Sequence, residues 1–280
     1  MITVSLMGGL GNQLFMIFTI IAYGIENKVK FVLPRNKLDK TSHNGDLRPT
    51  YWDSFLKRLT PFLESKQNNY PVYRELQHHY KEIPKNINQD FKLFGYFQSY
   101  KYFENYKKQI FNIIGIENLQ NKIKDKYKIY FKNNNNEICS IHFRIGDYKT
   151  IEHAHPILKL DYYKNSIKYM LENNNTINEI LCFGQEKDEL ELLYNIEKLQ
   201  LEFPQLSFNL CDFNIEDWEQ MLLMSCCHHN IIANSSFSWW GAYFNDNPEK
   251  IVCYPKVWFG PKLENKKTKD MFPLNWKKIS

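Results

Sequence analysis

The chain has 280 residues, of which 43% are hydrophobic, so it can form one large domain or two smaller ones around a substantial core. The formal net charge is +5, and the basic residues are scattered lysines without an arginine-rich tract, which argues against a nucleic-acid-binding protein. Six cysteines lie between residues 139 and 253, without a CxxC pair. We therefore expect reduced core thiols, with no disulfide framework or metal cluster.

The amino-terminal segment favours a soluble protein. Met1 leads directly into the strand-like ITVSL, without the basic region that opens a signal peptide. The longest apolar run, from Leu14 to Ile25, is too short to span a bilayer. We expect a soluble, cytoplasmic protein, and peripheral association with a membrane stays open.

The first 34 residues have the pattern of a βαβ unit. Thr3 to Leu6 predict a strand, a glycine-rich turn follows, and Leu14 and Phe18 share one face of a predicted helix. A second strand is predicted from Lys30 to Leu33. Such a unit is the building block of a parallel sheet.

The middle of the chain is harder to assign. In residues 36 to about 94, turn residues do not divide the sequence into clear helices and strands, and only a short segment, KLF, resembles a strand. A helical pattern then runs to about Ile129. The polar run KNNNN at 132–136 is the best candidate for a domain boundary. We predict an amino-terminal domain at 1–131 and a carboxyl-terminal domain at 137–280.

The second half returns to alternating strands and helices. The expected N-cap of its first helix is Asp161, and the last predicted helix starts near Trp239. Strands are predicted at 137–143, 179–185, 206–210, 230–233 and 250–255, with helices at 161–174, up to residue 199, and at 216–227. Two sets of βαβ units predict an α/β protein of two Rossmann-like domains that face each other across a cleft.

A glycine-rich stretch, GGLGNQLF, joins the first strand to the first helix. Gly8, Gly9 and Gly11 let backbone amides approach a phosphate at the positive end of a helix. The stretch matches neither GxGxxG nor GxxxxGK[ST], so a mere tight turn stays open. Asn12 and Gln13 can cap the helix, or they can bind sugar hydroxyls or phosphate.

The stretch IHFRIGDY places charged residues where a strand should end. Side chains of a strand alternate between its two faces, so Ile141, Phe143 and Ile145 lie on an apolar face. The opposite face carries His142, Arg144 and Gly146. The carboxyl end of a strand is the usual ligand edge of an open α/β sheet, and the arginine fork there suits phosphate. Asp147 can orient Arg144 or brace the turn. The alternative is a structural Arg144–Asp147 pair beside a satisfied core histidine.

A third stretch, ANSSFSWWGA, lies between a predicted strand and a predicted helix. The hydroxyls of Ser235, Ser236 and Ser238, together with helix amides, can form an anion cradle. The alternative is helix capping by Ser236 or Ser238, with Trp239 and Trp240 packed in the core. Three junctions of this type in one chain favour a ligand.

Several motifs are missing. No D-x-D triplet offers carboxylates to a metal–diphosphate, and neither GxSxG nor HExxH is present. His228 and His229 adjoin Cys226 and Cys227, but neighbouring residues on a helix point in different directions, so we do not expect a metal there.

Five stretches together resemble the α-1,2-fucosyltransferases of glycosyltransferase family 11, in that family's order and spacing over nearly the whole chain. They are GGLGNQLF, GYFQSYKYF, IHFRIGDY, HPILKLDYY and LMSCCHHNIIANSSFSWWGAYF. The resemblance implies the GT-B architecture, GDP-fucose as donor, inversion of the anomeric centre and no metal. It also implies GDP-fucose binding by the carboxyl-terminal domain, with the amino-terminal domain on the acceptor side.

The resemblance further implies roles for single residues. Arg144 would bind the β-phosphate, His142 would lie near the guanine or ribose, and Asn12 with the glycine loop would meet the diphosphate and fucose. We predict Arg144, Asn12 and Asp147 as catalytic, although the bracing role of Asp147 is favoured over that of general base. The predicted substrate-binding residues are Gly8, Gly9, Gly11, Gln13, His142, Asn234, Ser235, Ser236, Phe237 and Ser238. Many family members carry two consecutive arginines in this motif, whereas the second position here is Ile145.

The leading hypothesis is transfer of fucose from GDP-β-L-fucose to O2 of a terminal galactose in an oligosaccharide, with no cofactor besides the donor substrate. One alternative is a transferase for another nucleotide sugar or acceptor. A second alternative is a non-catalytic carbohydrate-binding relative, against which the diphosphate-type residues argue. Release of GDP from GDP-fucose would separate the enzyme from the binding protein.

Overall fold

A computed structural model of the protein describes residues 1–35, 49–65, 69–85, 89–131 and 137–280. The chain divides into two compact units. The first unit comprises Met1–Glu117 and Asn265–Pro273, and the second comprises Asn118–Glu264 and Leu274–Ser280. The predicted boundary at 132–136 lies outside the described residues, as does part of the polar stretch after residue 35.

The first unit begins with the expected βαβ pattern. Its elements are β1 (Ile2–Val4), α1 (Leu10–Asn27), β2 (Leu33–Pro34), β3 (Leu63–Glu64), β4 (Val72–Arg74), β5 (Phe91–Phe94) and α2 (Lys107–Ile114). The strands pair in parallel, in the order β1-β5-β4 and, separately, β2-β3. An isolated parallel bridge joins Ile2 to Phe31, so the chain returns beside β1 close to the predicted second strand.

Helix α1 is the centre of the first unit because it is apolar on nearly every side. Its residues from Leu14 to Ala22 are all buried, which is the pattern of a helix enclosed by protein. The ring of Phe18 packs edge-on against Phe103 at 5.4 Å between centroids. Within the described ranges, no helix is both long enough and apolar enough to cross a membrane.

The second unit alternates strands and helices along the chain. Its elements are α3 (Ile116–Lys126), which begins just before the boundary, β6 (Glu137–His142), α4 (Tyr148–Ile151), α5 (Leu160–Asn173), β7 (Ile177–Phe183), α6 (Glu189–Glu202), β8 (Ser207–Leu210), α7 (Asp217–Cys226), β9 (His229–Ile231), α8 (Ser236–Phe244), β10 (Val252–Pro255) and β11 (Lys277–Ile279).

The sheet of the second unit is parallel throughout its described pairs and has the order β11-β10-β9-β6-β7-β8. From β6 the chain builds outward through β7 to β8, then returns to the other side of β6 and builds outward through β9 to β11. The direction of construction therefore switches between β6 and β9. In such sheets, ligands bind outside the carboxyl ends of the strands at this switch point.

The α/β class with parallel sheets flanked by helices is confirmed, but several local predictions are wrong. The N-cap of α5 is Lys159, and Asp161 lies one residue inside the first turn, where its charge favours the helix dipole. Helix α8 begins at Ser236, three residues before the expected Trp239. A further strand, Lys277–Ile279, follows the one expected to be last.

The cysteines are core residues, as expected. All six are free thiols and buried. Cys139, Cys182 and Cys253 belong to the apolar cluster beneath the sheet of the second unit. Burial raises the pKa of each of these three thiols, which keeps them protonated and unreactive.

Candidate active site

The end of β6 separates its side chains as the alternation predicts. Ile141, Phe143 and Ile145 all enter the buried apolar cluster of the second unit. His142 ends the strand on the opposite side, and its carbonyl oxygen accepts a hydrogen bond from the Tyr163 hydroxyl at 3.2 Å. The strand period therefore delivers His142 and the following Arg144 to the carboxyl edge of the sheet.

His142 is a neutral, buried imidazole. Only 5% of the residue is exposed, and its ring lies 5.6 Å from that of Phe237. Burial and, to a lesser extent, the charge of Arg144 lower the pKa of His142 to about 3. Its Nδ1 atom is buried and has no hydrogen-bond partner among the described residues. Buried polar atoms in native proteins are nearly always paired, so His142 does not fit the alternative of a satisfied core histidine.

Arg144 forms the ion pair that the structural alternative required. Its Nη2 atom donates to Asp147 Oδ1 at 2.5 Å, and its guanidinium carbon lies 5.1 Å from the centre of the Tyr148 ring. The side chain of Arg144 is 20% exposed and that of Asp147 is 25% exposed. The pair and the ring fix the plane of the guanidinium at the strand end, and ligand binding by Arg144 stays a prediction.

The turn after Arg144 depends in part on Asp188, a residue that the sequence did not single out. Gly146 has a positive φ of 27°, and its N–H donates to Asp188 Oδ2 at 2.7 Å. Asp188 is buried and also pairs with Lys149 at 3.0 Å. A Cβ atom on Gly146 would lie 2.2 Å from the side-chain oxygen of Gln185, and the positive φ strains any other residue, so glycine is favoured there. The Gly-Asp pair within IHFRIGDY was the one local signal of this turn.

The loop after β9 is organised by its serines. Ser235 is the N-cap of α8, and its Oγ accepts from the Phe237 N–H at 3.3 Å. Ser238 Oγ accepts from the N–H of Ala233 at 3.2 Å. The alternative to an anion cradle was capping by Ser236 or Ser238, whereas the cap is Ser235. Trp239 and its neighbour Trp240 are fully buried, as that alternative required.

Asn234 connects the same loop to two other segments of the second unit through its side-chain amide. Its Nδ2 donates to the carbonyl oxygens of Pro156 at 2.9 Å and Trp258 at 3.3 Å. Its Oδ1 is buried and has no hydrogen-bond partner in the part of the chain that the structure describes. Ser236 and Phe237 are the partly exposed members of the loop.

The loops after β6 and β9 meet at the switch point of the sheet. Ile141 of β6 is in register with Ile231 of β9, so the two loops leave adjacent strands. The Tyr148 hydroxyl donates to the carbonyl oxygen of Asn234 at 2.9 Å. Two sequence motifs that lie about ninety residues apart are thus brought together at the edge where such sheets bind ligands.

The glycine loop belongs to the first unit and opens α1. Gly8 has a φ of +72°, and Gly9 is the N-cap in an extended conformation. Gly11 lies in the first helical turn, followed by Asn12 and Gln13, whose backbone N–H groups both donate to the Gly9 carbonyl at 3.0 Å. The strand–turn–helix geometry expected of the motif is present, with Gly8 in the left-handed region that favours glycine.

The two amide side chains of this loop differ. Gln13 is fully buried, and its Nε2 donates to the carbonyl oxygens of Gly8 at 3.0 Å and Pro49 at 2.9 Å. These bonds brace the loop, and a substrate contact by Gln13 stays a prediction. Asn12 is partly exposed, and its Oδ1 accepts from Gln98 Nε2 at 2.8 Å. Gln98 was not singled out from the sequence, although it lies in the stretch GYFQSYKYF.

The adjacent histidines near α7 have protein partners. His228 Nδ1 accepts from the Ile138 N–H at 3.0 Å, and His229 Nε2 lies 2.8 Å from Glu137 Oε2. Over the residues described here, no group of three or more His, Cys, Asp or Glu side chains is arranged to hold a metal ion.

Two proteins of Escherichia coli are similar to nearly the whole chain. One, named O-antigen biosynthesis glycosyltransferase WbnK, is 29% identical over an alignment of 304 residues that covers 95% of this chain and 97% of its own. The other, named alpha-1,2-colitosyltransferase, is 26% identical over 296 residues that cover 99% of this chain and 98% of its own. The family model described as Glycosyl transferase family 11 matches residues 1–280. Because that match includes every residue, the chain belongs to glycosyl transferase family 11 and is a glycosyltransferase.

Proposed function

We propose that this glycosyltransferase moves L-fucose from GDP-β-L-fucose to O2 of a terminal galactose in a glycan, with inversion and without a metal ion. The observation that carries the proposal is the meeting of the two polar loops at the switch point between β6 and β9. One loop brings Arg144 and a buried His142, whose Nδ1 has no hydrogen-bond partner among the described residues, to the edge where nucleotides bind in such sheets.

The proposed reaction is a direct displacement at the anomeric carbon. The oxygen of the acceptor hydroxyl forms a bond to C1 and releases its proton to the medium, as the bond from C1 to the phosphate oxygen breaks and the bonding electrons leave with GDP. Negative charge therefore gathers on the diphosphate, where Arg144 supplies a permanent positive charge and directed N–H donors. We assign Asp147 to orienting this guanidinium, because its Oδ1 already accepts from Arg144.

The second loop has its own part in the proposal. Ser235 and Ser238 are buried and their hydroxyls hold the loop together, and Asn234 ties it to the segments at Pro156 and Trp258. Ser236 and Phe237 are partly exposed, so they are the residues we propose to contact GDP. The other three shape the loop, and we propose that the side-chain Oδ1 of Asn234 also accepts from the nucleotide.

In the first unit, we propose that the loop from Gly8 to Asn12 meets the diphosphate and the fucose. The backbone at Gly9 is extended, and no atom of the residues that the structure describes lies within 4 Å of a Cβ placed there. The start of α1 adds a partial positive charge. The acceptor side is assigned to this unit as well.

A second candidate donor comes from the relative named alpha-1,2-colitosyltransferase. Colitose is L-fucose without its 3-hydroxyl group. A site built to hydrogen-bond that hydroxyl rejects the deoxy analogue by about 10⁴–10⁵-fold, whereas an apolar pocket discriminates weakly. Comparing the two GDP-sugars therefore identifies the donor.

The test is a screen of donors against acceptors, with linkage analysis of the product. We expect α-1,2-fucosylated galactosides from GDP-fucose, at the same rate in excess EDTA. Absence of GDP release with every donor would favour the carbohydrate-binding alternative. Complete loss of activity in EDTA, restored by magnesium or manganese, would overturn the metal-free mechanism.

A further inference from the structure

Asn12 is held by a chain of side-chain hydrogen bonds that reaches back into the first unit. Gln98 Nε2 donates to Asn12 Oδ1 at 2.8 Å, and Gln98 Oε1 lies 3.1 Å from His78 Nε2. Gln98 is 8% exposed, so both bonds are largely shielded from water. The three residues come from three separate segments of the chain, at positions 12, 78 and 98.

The direction of the hydrogen bonds from His78 through Gln98 to Asn12 determines which atom of the Asn12 amide lies over Gly8. The oxygen of Gln98 can only accept, so His78 contributes Nε2–H to it. Burial lowers the pKa of His78 to about 4, which leaves a neutral ring near physiological pH. With its oxygen engaged by His78, Gln98 turns its amide N–H₂ to the oxygen of Asn12. The Nδ2 donor of Asn12 then lies over Gly8, where a Cβ would come within 2.5 Å of it.

Gln98 is itself held by an unusual piece of backbone. Gly95 and Phe97 both have positive φ angles, of 156° and 51°. The carboxylate of Glu75 accepts the N–H groups of Tyr96 at 2.8 Å and Phe97 at 3.1 Å. A phenylalanine in the left-handed region persists only where its surroundings enforce it. Two fixed points, the Glu75 carboxylate and the His78 ring, therefore determine where the Gln98 amide lies.

We infer that Gln98, oriented by His78, is a positioning residue that directs the Asn12 amide N–H₂ towards the donor at the glycine loop. This inference rests on the proposed function, in which Asn12 meets the diphosphate and fucose. Gln98 does not touch the donor and acts through Asn12. A misplacement of about 1 Å in such a group costs on the order of 100-fold in rate.

The most informative substitution is Gln98→Glu. A glutamate has nearly the same shape, but it offers no N–H to Asn12, so the Asn12 amide turns over and presents its oxygen to the loop. We expect kcat/KM for GDP-fucose to fall by about 10–100-fold while the melting temperature stays close to that of the parent. Gln98→Met, which also removes the bond to His78, should have a similar effect on kcat/KM.

A double-mutant cycle then tests whether Gln98 acts through Asn12. The cycle combines Gln98→Glu with Asn12→Ala, and Gln120→Met in the second unit is the matched control. Gln120 Nε2 makes comparable bonds to Ser225 Oγ at 2.8 Å and to the Phe244 carbonyl at 3.0 Å. We expect Gln98→Glu to have no further effect in the Asn12→Ala background, and Gln120→Met to leave turnover per folded molecule unchanged. Equal losses from Gln98→Glu in both backgrounds would overturn the inference.

A substrate-free measurement separates this inference from the proposed function. The side-chain amide resonance of Asn12, assigned by its disappearance in Asn12→Ala, should shift in Gln98→Glu and stay in place in Gln120→Met. An unchanged resonance in Gln98→Glu would overturn the positioning role whatever the donor is. An inactive parent with GDP-fucose, together with a shifted resonance, would contradict the proposed donor alone.

Discussion

Arg144 combines a permanent positive charge with a planar set of donors, and the two properties can be tested separately. Arg144→Lys keeps the charge but loses the fork, so turnover should fall by about 10²–10³-fold, as for other donors to a developing anion. Arg144→Ala should lower turnover further. Turnover and thermal unfolding are to be measured on the same preparations. If the ion pair to Asp147 were its whole role, both variants would melt earlier while turnover per folded molecule stayed normal.

His142 predicts a particular response of stability to acid. Its pKa is about 3 in the folded chain against an ordinary value of 6.5, so the unfolded state binds the proton more readily. The free energy of unfolding that depends on this neutral imidazole has its full value above pH 6.5. It decreases by up to about 1.4 kcal/mol per pH unit as the pH falls towards 3. His78, with a pKa of about 4, adds a parallel loss.

The measurement is urea unfolding at several values of pH between 6 and 4. Because glutamine does not titrate, His142→Gln should unfold with a shallower dependence on pH than the parent, while the loss due to His78 remains. Identical pH dependences in the two proteins would show that the imidazole accepts a proton as easily in the folded chain as in the unfolded one.

At the scale of elements, the start of α1 contains two neighbouring glycines with opposite requirements. Gly8 has a φ of +72°, and an added Cβ would meet Asn12 Nδ2 at 2.5 Å. Gly9 has a φ of −73°, and no described atom lies within 4 Å of an added Cβ. Gly8→Ala should therefore cost about 1–2 kcal/mol of stability or more, whereas Gly9→Ala should cost less than about 1 kcal/mol.

Urea denaturation of the two variants gives the comparison, with each serving as the control for the other. Gly8→Ala should also lose turnover, because the new methyl group displaces the Asn12 side chain. Equal free energies of unfolding for the two alanine variants would mean that the loop accommodates the methyl group at no cost in stability. The left-handed conformation at Gly8 would then not be required.

The elements also show why the sequence predicted some features and missed others. The alternation of strands and helices in the second unit could be predicted, because the apolar residues of each element recur with the period of a strand or of a helix. The start of α8 was placed too late, because the tryptophans mark the buried face while the Ser235 cap sets the first turn. The role of Asp188 could not be predicted from the sequence, because its hydrogen bond to Gly146 joins residues 42 positions apart.

At the scale of the whole chain, one segment has no counterpart in the predicted domains. Residues Asn265–Pro273 return to the first unit after the chain has built the second. The returning segment is held there by Asp270, whose carboxylate pairs with Lys101 at 2.5 Å, and by Lys266, which lies 6.0 Å from the Tyr96 ring. A polar segment of this kind has no periodicity, and only its long-range partners determine where it lies.

The nucleotide preference of the whole protein is open to a test that needs no acceptor. A ligand that binds the folded chain alone adds about 2.7 kcal/mol of stability at 100 times its dissociation constant. We expect GDP and GDP-fucose to raise the melting temperature by several degrees, and UDP and NAD to leave it unchanged. The Arg144→Ala protein should melt near the parent without ligand but gain less from GDP, because the diphosphate loses the guanidinium at the β6 end. Equal protection by GDP and UDP would contradict a guanine-specific site, and equal GDP protection of the parent and Arg144→Ala would remove Arg144 from it.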